Sequence, residues 1–442
     1  MSLGLALAAC ATSLAPSSET QIAAPVAGQP DASRQGTPQR RERVKIALIL
    51  PLGGISQTAL VAKSLKQAAE MALFERDDPN IQLIVKDDQG TAAGATAAAT
   101  AAISEGAEII LGPLFSGAVR PVADVGRQAQ PPVPVVAFSN DRSVAGNGAH
   151  LISFMPEPEV ERVVSYAASQ GKRRYVALIP DTAYGRLVET AFSSAVQRNA
   201  GMVLAMERYA PQSNNMIEPA QRVLDTIKQA EEIGAPVDGI FLPGGPNVLP
   251  SLGPLIRYAN IDTTRVQLVG TGAWDFPNIG SDKVFVGGWY ASPDPRGWKA
   301  FSERFARTFG QAPPRVATLA YDAVNVAIEL SNAPKGARFT SARLRRASGF
   351  RGVDGPLRFG SDGTATRALA ILAVQRFGTT TVQPAPATLD SVPQLSIETG
   401  STATGQPQTR TPVSPANSGF GLPSLLTAPS FFLGGPAANH PQ

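Results

Sequence analysis

The chain has 442 residues, with 39 Lys and Arg against 35 Asp and Glu, so its formal charge of +4 is small for its size. At 43% hydrophobic residues it can bury a large core, and its length fits about two to three ordinary domains. A single cysteine excludes an intramolecular disulfide and zinc-finger spacing, and the two histidines, His150 and His440, lie too far apart for most His-dependent catalysis or His-rich metal binding. No Lys/Arg block forms a phosphate-binding stripe, which argues against nucleic acid as a partner. Binding, carboxylate chemistry or a structural role remain, with no cofactor expected.

The amino terminus opens on a short apolar run that ends in small residues directly before Cys10. The run is far short of the ~20 residues a bilayer span needs and reads as the apolar region of a secretory signal. Leu7-Ala8-Ala9-Cys10 resembles the bacterial lipobox, which implies a lipid on Cys10 and cleavage before it. No Lys or Arg precedes Arg34, which leaves the charged region of such a leader unaccounted for. Residues 11–43, rich in Ala, Ser, Pro, Gln and Thr without periodic apolar positions, form a flexible tether. Ala11 is not the aspartate associated with inner-membrane retention, so anchoring to the outer membrane is favoured over the inner.

From Val44 short apolar runs alternate with amphipathic stretches. The predicted strands are 44–50, 81–85, 108–111, 133–137, 175–179, 202–206, 237–242, 266–269 and 284–289. The predicted helices between them are 57–75, 91–105, 159–170, 186–199 and 217–232. In 57–75, Leu60, Val61, Leu65, Ala68, Ala69, Ala72 and Leu73 recur at helical spacing with Lys63, Lys66 and Glu70 between them. Such alternation predicts an α/β fold of mostly parallel sheets with helices on both faces. The units are too many for one sheet. Breaks near 142–158 and 291–296 divide residues 44–376 into two Rossmann-like lobes, the first about 44–153 and 293–343, the second about 154–290 and 344–376. A ligand would lie in the cleft between them, at the carboxyl ends of strands. Residues 377–442, rich in Pro, Thr and Ser, read as a disordered tail with apolar islands at Phe420 and Phe431-Phe432-Leu433.

No local string supports an enzyme. Ser169 and Lys172 have serine-acyltransferase spacing but fall at a helix end with Gly171 as the stop, and the motif's usual companions are missing. Neither a nucleophile elbow nor a phosphate-binding loop occurs. The loops after strands are more informative. Ser116, in Gly112–Gly117, stands where a hydroxyl and free backbone N–H groups suit an anion. Ser139, Asn140 and Asp141 follow the next strand and face the same cleft. On the second lobe, Tyr184 can stack on or bond a ligand, while Gly244-Gly245 and the Gly272 turn allow close backbone approach.

In this order, residues 44–52, Ile110–Ser116, Asp181 to Gly185 and Ala320–Val324 resemble a type I periplasmic binding protein of the leucine/isoleucine/valine-binding family. The resemblance covers about 44–376 and implies two lobes around a ligand cleft. It makes Ser116 the carboxylate-binding serine, Ser139–Asp141 the segment holding the ligand's main-chain groups, and Tyr184 the cleft tyrosine. The family's ammonium-pairing acid falls near Gly272, where no acid stands, and its second tyrosine near Gly244. Gly112-Pro113-Leu114, Phe154–Arg162, Leu178–Pro180 with Tyr184–Arg186, and Asp238–Leu242 are also similar to the penicillin-binding protein activator lipoproteins. That likeness implies a non-enzymatic, periplasm-facing lipoprotein whose partner is a peptidoglycan synthase. The alternative is a substrate-binding protein that delivers an amino acid or related small solute to an ABC importer.

Overall fold

The computed structural model describes residues 43–53, 56–210 and 216–390; Cys10, the rest of the tether and the sequence beyond Asp390 lie outside the described residues. The first sheet is built from β1 (Val44–Leu50), β2 (Ile81–Asp87), β3 (Ala107–Leu111), β4 (Val135–Ala137) and β5 (Ala149–Leu151). Its order is β2-β1-β3-β4-β5, and every neighbouring pair is parallel. The helices α1 (Gln57–Arg76), α2 (Ala92–Ser104) and α3 (Ser116–Gln128) return the chain between strands. In β1, Ile46, Leu48 and Leu50 enter one apolar cluster and Ala47 and Ile49 the opposite one, so a continuous apolar run is what a strand covered on both faces requires. Ser56 caps α1 through Ala59 N–H and Thr91 caps α2 through Gly94 N–H, which locates both starts.

The chain crosses at 152–155 into a second set of units. They comprise α4 (Pro156–Ser169), β6 (Arg174–Pro180), α5 (Ala183–Arg198), β7 (Met202–Tyr209), α6 (Ile217–Glu232), β8 (Gly239–Phe241), α7 (Leu249–Tyr258), β9 (Gln267–Gly270) and β10 (Trp289–Ser292). It then returns to the first lobe with α8 (Pro295–Phe309) and α9 (Ala317–Leu330), whose Phe301, Phe305, Leu319 and Val324 complete the cluster under α1. After α10 (Ser341–Leu344) comes a small antiparallel sheet of β11 (Phe350–Gly352), β12 (Gly355–Phe359) and β13 (Ala365–Arg367). A last crossing at 368–369 leads to β14 (Ala370–Val374) and β15 (Thr379–Gln383), which finish a seven-stranded sheet of order β15-β14-β10-β9-β8-β6-β7. The expected two-lobed α/β architecture is present.

Three local expectations need revision. The apolar run 284–289 is not a strand: Lys283–Phe285 forms a 3-10 turn, Gly287 takes φ 86°, and β10 begins only at Trp289. Phe285 turns inward to meet Trp274 edge-on at 5.8 Å. Residues 344–365, expected in the second lobe, put Leu344, Phe350, Leu357, Phe359 and Ala365 into the first lobe's cluster. The first residues assigned to the tail are ordered: Thr379–Gln383 pairs antiparallel with β14 and Leu389 is buried. β-Branched residues after the Gly378 turn favour a strand over coil.

Candidate functional site

The carboxyl end of the first sheet positions Ser116 and Ser139–Asp141. Gly112, at φ 96°, lets the β3–α3 loop pass so close to β1 that a Cβ there would lie 2.1 Å from the Ile49 carbonyl oxygen. Phe138 N–H donates to the Pro113 carbonyl at 3.0 Å, tying the β4 loop to this one. Ser116 is the first helical residue of α3, not its cap; the preceding Phe115 offers no side-chain acceptor to the first-turn N–H groups. Ser139 is fully buried, and its Oγ accepts from Asp141 N–H at 3.1 Å. Asp141 Oδ1 accepts from the backbone N–H and the hydroxyl of Ser143, at 3.0 and 2.7 Å. Ser139 and Asp141 therefore shape their own turn, with Asn140 half-buried between them.

The second lobe's wall is more tightly knit. Tyr184, in the first turn of α5, shares a 2.8 Å hydrogen bond with Thr271 Oγ1 and donates at 3.3 Å to the Pro243 carbonyl. The Tyr184 ring thus spans the ends of β6, β8 and β9. Thr271 opens the turn containing Gly272, and Trp274 seats that turn by donating from its indole to the Leu242 carbonyl at 2.8 Å. Gly272 N–H donates to Glu159 Oε2 at 2.9 Å, and a Cβ on Gly272 would stand 2.9 Å from Glu159 Oε1. The Gly272 loop carries no acid in sequence, but the Glu159 carboxyl, from the first turn of α4, stands against it in space. In the same way, Tyr209 from the end of β7 brings its hydroxyl to 3.1 Å from where a Gly244 Cβ would be. That hydroxyl is buried and has no hydrogen-bond partner. The helix-start string Pro156-Glu157-Pro158-Glu159 was the one available signal for Glu159; nothing in sequence linked Tyr209 to Gly244.

Tyr184, Gly272 and, through Tyr209, Gly244 therefore gather at the carboxyl end of the second sheet, while Ser116 and Ser139–Asp141 stand at the carboxyl end of the first. No hydrogen bond among the described residues joins those two sets. On the first lobe's side of the crossings lies a charge network that sequence reasoning missed, reaching the second lobe at Asp275. Arg315 contacts Asp354 at 2.5 Å, approaches Asp275 at 3.9 Å, and stacks over Trp298 and Phe154. Arg367 pairs with fully buried Asp322 at 3.0 Å, donates to the Ile152 carbonyl and also covers Phe154. These residues pin two of the crossings, at 152–155 and 368–369.

Burial dominates the electrostatics. Desolvation pushes the Glu159 carboxyl up to about 8; the Gly272 N–H opposes this, and Glu157 and Asp275 reinforce it. Glu157 is raised as well, first by burial, with its own backbone N–H and then Arg142 opposing. Burial also lifts Asp322 to about 6 against the pull of Arg367, and holds the Tyr184 and Tyr209 hydroxyls well above the usual range. Among the described residues no group of His, Cys, Asp and Glu is placed to hold a metal ion.

Residues 43–379 match the family described as periplasmic binding protein. The chain belongs to that family, with the type I, leucine-binding-like fold, and this places it in the periplasm. No curated protein sequence matches it. Among solved structures, it is similar to a branched-chain amino acid ABC transporter periplasmic ligand-binding protein from Burkholderia xenovorans LB400, with 15% identity, TM-score 0.61, and coverage of 77% of this chain and 94% of that one. It is also similar to a solute binding protein of an ABC transporter from Rhodopseudomonas palustris BisB5 in complex with 3,4-dihydroxybenzoic acid (17% identity, TM-score 0.56, coverage 79% and 98%). A leucine binding protein from Thermotoga maritima MSB8 matches at 18% identity and TM-score 0.54, with coverage of 76% and 97%.

Proposed function

We propose that the protein is a non-enzymatic solute-binding protein that captures a small organic solute between its lobes for an ABC importer. The observation that carries this reading is the second wall: Tyr184, Thr271, Gly272 and Glu159 are drawn from three chain segments to the carboxyl ends of one sheet, beside a buried Tyr209 hydroxyl without a partner from a fourth. Buried polar groups are normally satisfied, so an orphaned hydroxyl at the ligand end of such a sheet supports a role for a bound molecule. Ser116 and the first-turn N–H groups of α3 provide the opposing polar contacts, and the solved relatives bind small molecules in the same fold. A thermal-shift panel of amino acids, amines and aromatic acids tests this, because ligand at a hundredfold over Kd stabilises by ~2.7 kcal/mol. Absence of any shift at millimolar ligand would sink it.

A second reading, activation of a peptidoglycan synthase, is supported by the Phe154–Arg162 string; stimulation of a purified synthase without any ligand-induced shift would favour it. Anchoring to the outer membrane through a lipid on Cys10 completes the proposal. Cys10→Ala should then move the protein into the soluble envelope fraction, and retention on membranes would refute the anchor.

A further inference from the structure

Among the described residues Glu157, at the start of α4, is the one carboxylate with both oxygens buried and unpartnered by any other residue. It is 7% exposed, and its own backbone N–H is the one donor acting on the carboxyl. Pro156 and Pro158 flank it, so the backbone at this position has little freedom to swing the side chain to water. A glutamate needed only to favour a helix start can do so from the surface; burying it without a partner residue adds a desolvation cost that a structural role does not require. The groups that act on it are Asp141, Arg142 and Asp362 of the first lobe, while Glu159 on its own helix also feels Asp275 and Arg315. Both guanidinium groups in this set already contact other carboxylates, Arg142 with Asp362 and Arg315 with Asp354. Carboxyl groups thus outnumber cations around the start of α4.

From this we infer that the cleft selects a solute of net positive charge, a basic amine or guanidine, whose cationic group is received by Glu157. The inference rests on the solute-binding reading and narrows its ligand class. A charge-assisted hydrogen bond to an ammonium or guanidinium would satisfy the two buried oxygens and restore local charge balance. The same surroundings would repel an aromatic carboxylate, the ligand of one solved relative.

Calorimetric titration of the full chain with putrescine, L-arginine, L-leucine and 4-hydroxybenzoate tests it. Putrescine or L-arginine should bind more tightly than L-leucine, with 4-hydroxybenzoate weakest. Glu157→Gln should weaken the bound cation tenfold or more, while Glu161→Gln on the same helix should not. Melting curves on each variant separate lost binding from lost fold, and Glu157→Asp provides a charged variant if Gln fails to fold. Tightest binding of L-leucine or 4-hydroxybenzoate, or equal cation binding by wild type and Glu157→Gln, would overturn the inference and leave the solute-binding reading standing. Binding of none of the four would overturn the inference and count against that reading as well.

Discussion

The two walls of the cleft reach similar positions by opposite routes. On the first lobe, Ser139 and Asp141 follow one strand and bond mainly within their own turn. On the second, Glu159 lies 113 residues from Gly272 and Tyr184 lies 87 from Thr271, yet each pair is in direct contact. A wall made of one local turn can be read as a string. A wall assembled from α4, α5, β7 and the β9 turn has groups whose burial and ionisation depend on packing. The second wall is therefore where substitutions should act through partners distant in sequence.

The largest effect is expected where the lobes are joined. Arg367→Met leaves Asp322 buried without its cation and should lower unfolding free energy by about 3–5 kcal/mol in a urea titration. Adding Asp322→Asn should recover part of that loss; no recovery would mean the arginine acts mainly through its packing on Phe154.

Next comes the pH dependence of the second wall. Glu159 binds its proton more tightly when folded, at about 8 against a reference of 4.5, so the associated stability is full at low pH and lost as pH rises to about 8. Asp322 and Asp88, both near 6, have the same sign but finish titrating sooner; Glu157 shares the sign too. His150, held at about 4 first by burial, acts oppositely, losing stability as pH falls from 6.5 to 4. Between pH 6.5 and 8 the melting temperature should therefore fall, with a Glu159 contribution of at most about 1.4 kcal/mol per pH unit. Glu159→Gln should flatten that slope; an unchanged slope would assign it to Glu157.

The smallest effect contrasts two tyrosines. Tyr184→Phe loses the bond to Thr271 and should cost about 1 kcal/mol. Tyr209→Phe removes a buried hydroxyl that has no partner, and should leave stability unchanged or raised by up to about 1 kcal/mol. If both variants lose stability equally in parallel melts, the distinction between a satisfied and an orphaned hydroxyl fails.

The sequence by itself determined the alternation of units, because apolar runs and helical spacing record which faces are covered. β1 spans the expected 44–50 and α6 the expected 217–232. It also determined which loops follow strands, and so where Ser116, Ser139 and Tyr184 stand. Only the tertiary structure decided that 344–365 packs with the first lobe, since Phe350, Leu357 and Phe359 need an apolar surface that either lobe could offer, while Asp354 in their hairpin finds its cation only at Arg315. It alone brought Glu159 to Gly272 and Tyr209 beside Gly244. Local pattern records burial along one element; it does not encode which distant element ends beside it, and contacts across that distance set the charge and hydrogen bonding of the cleft.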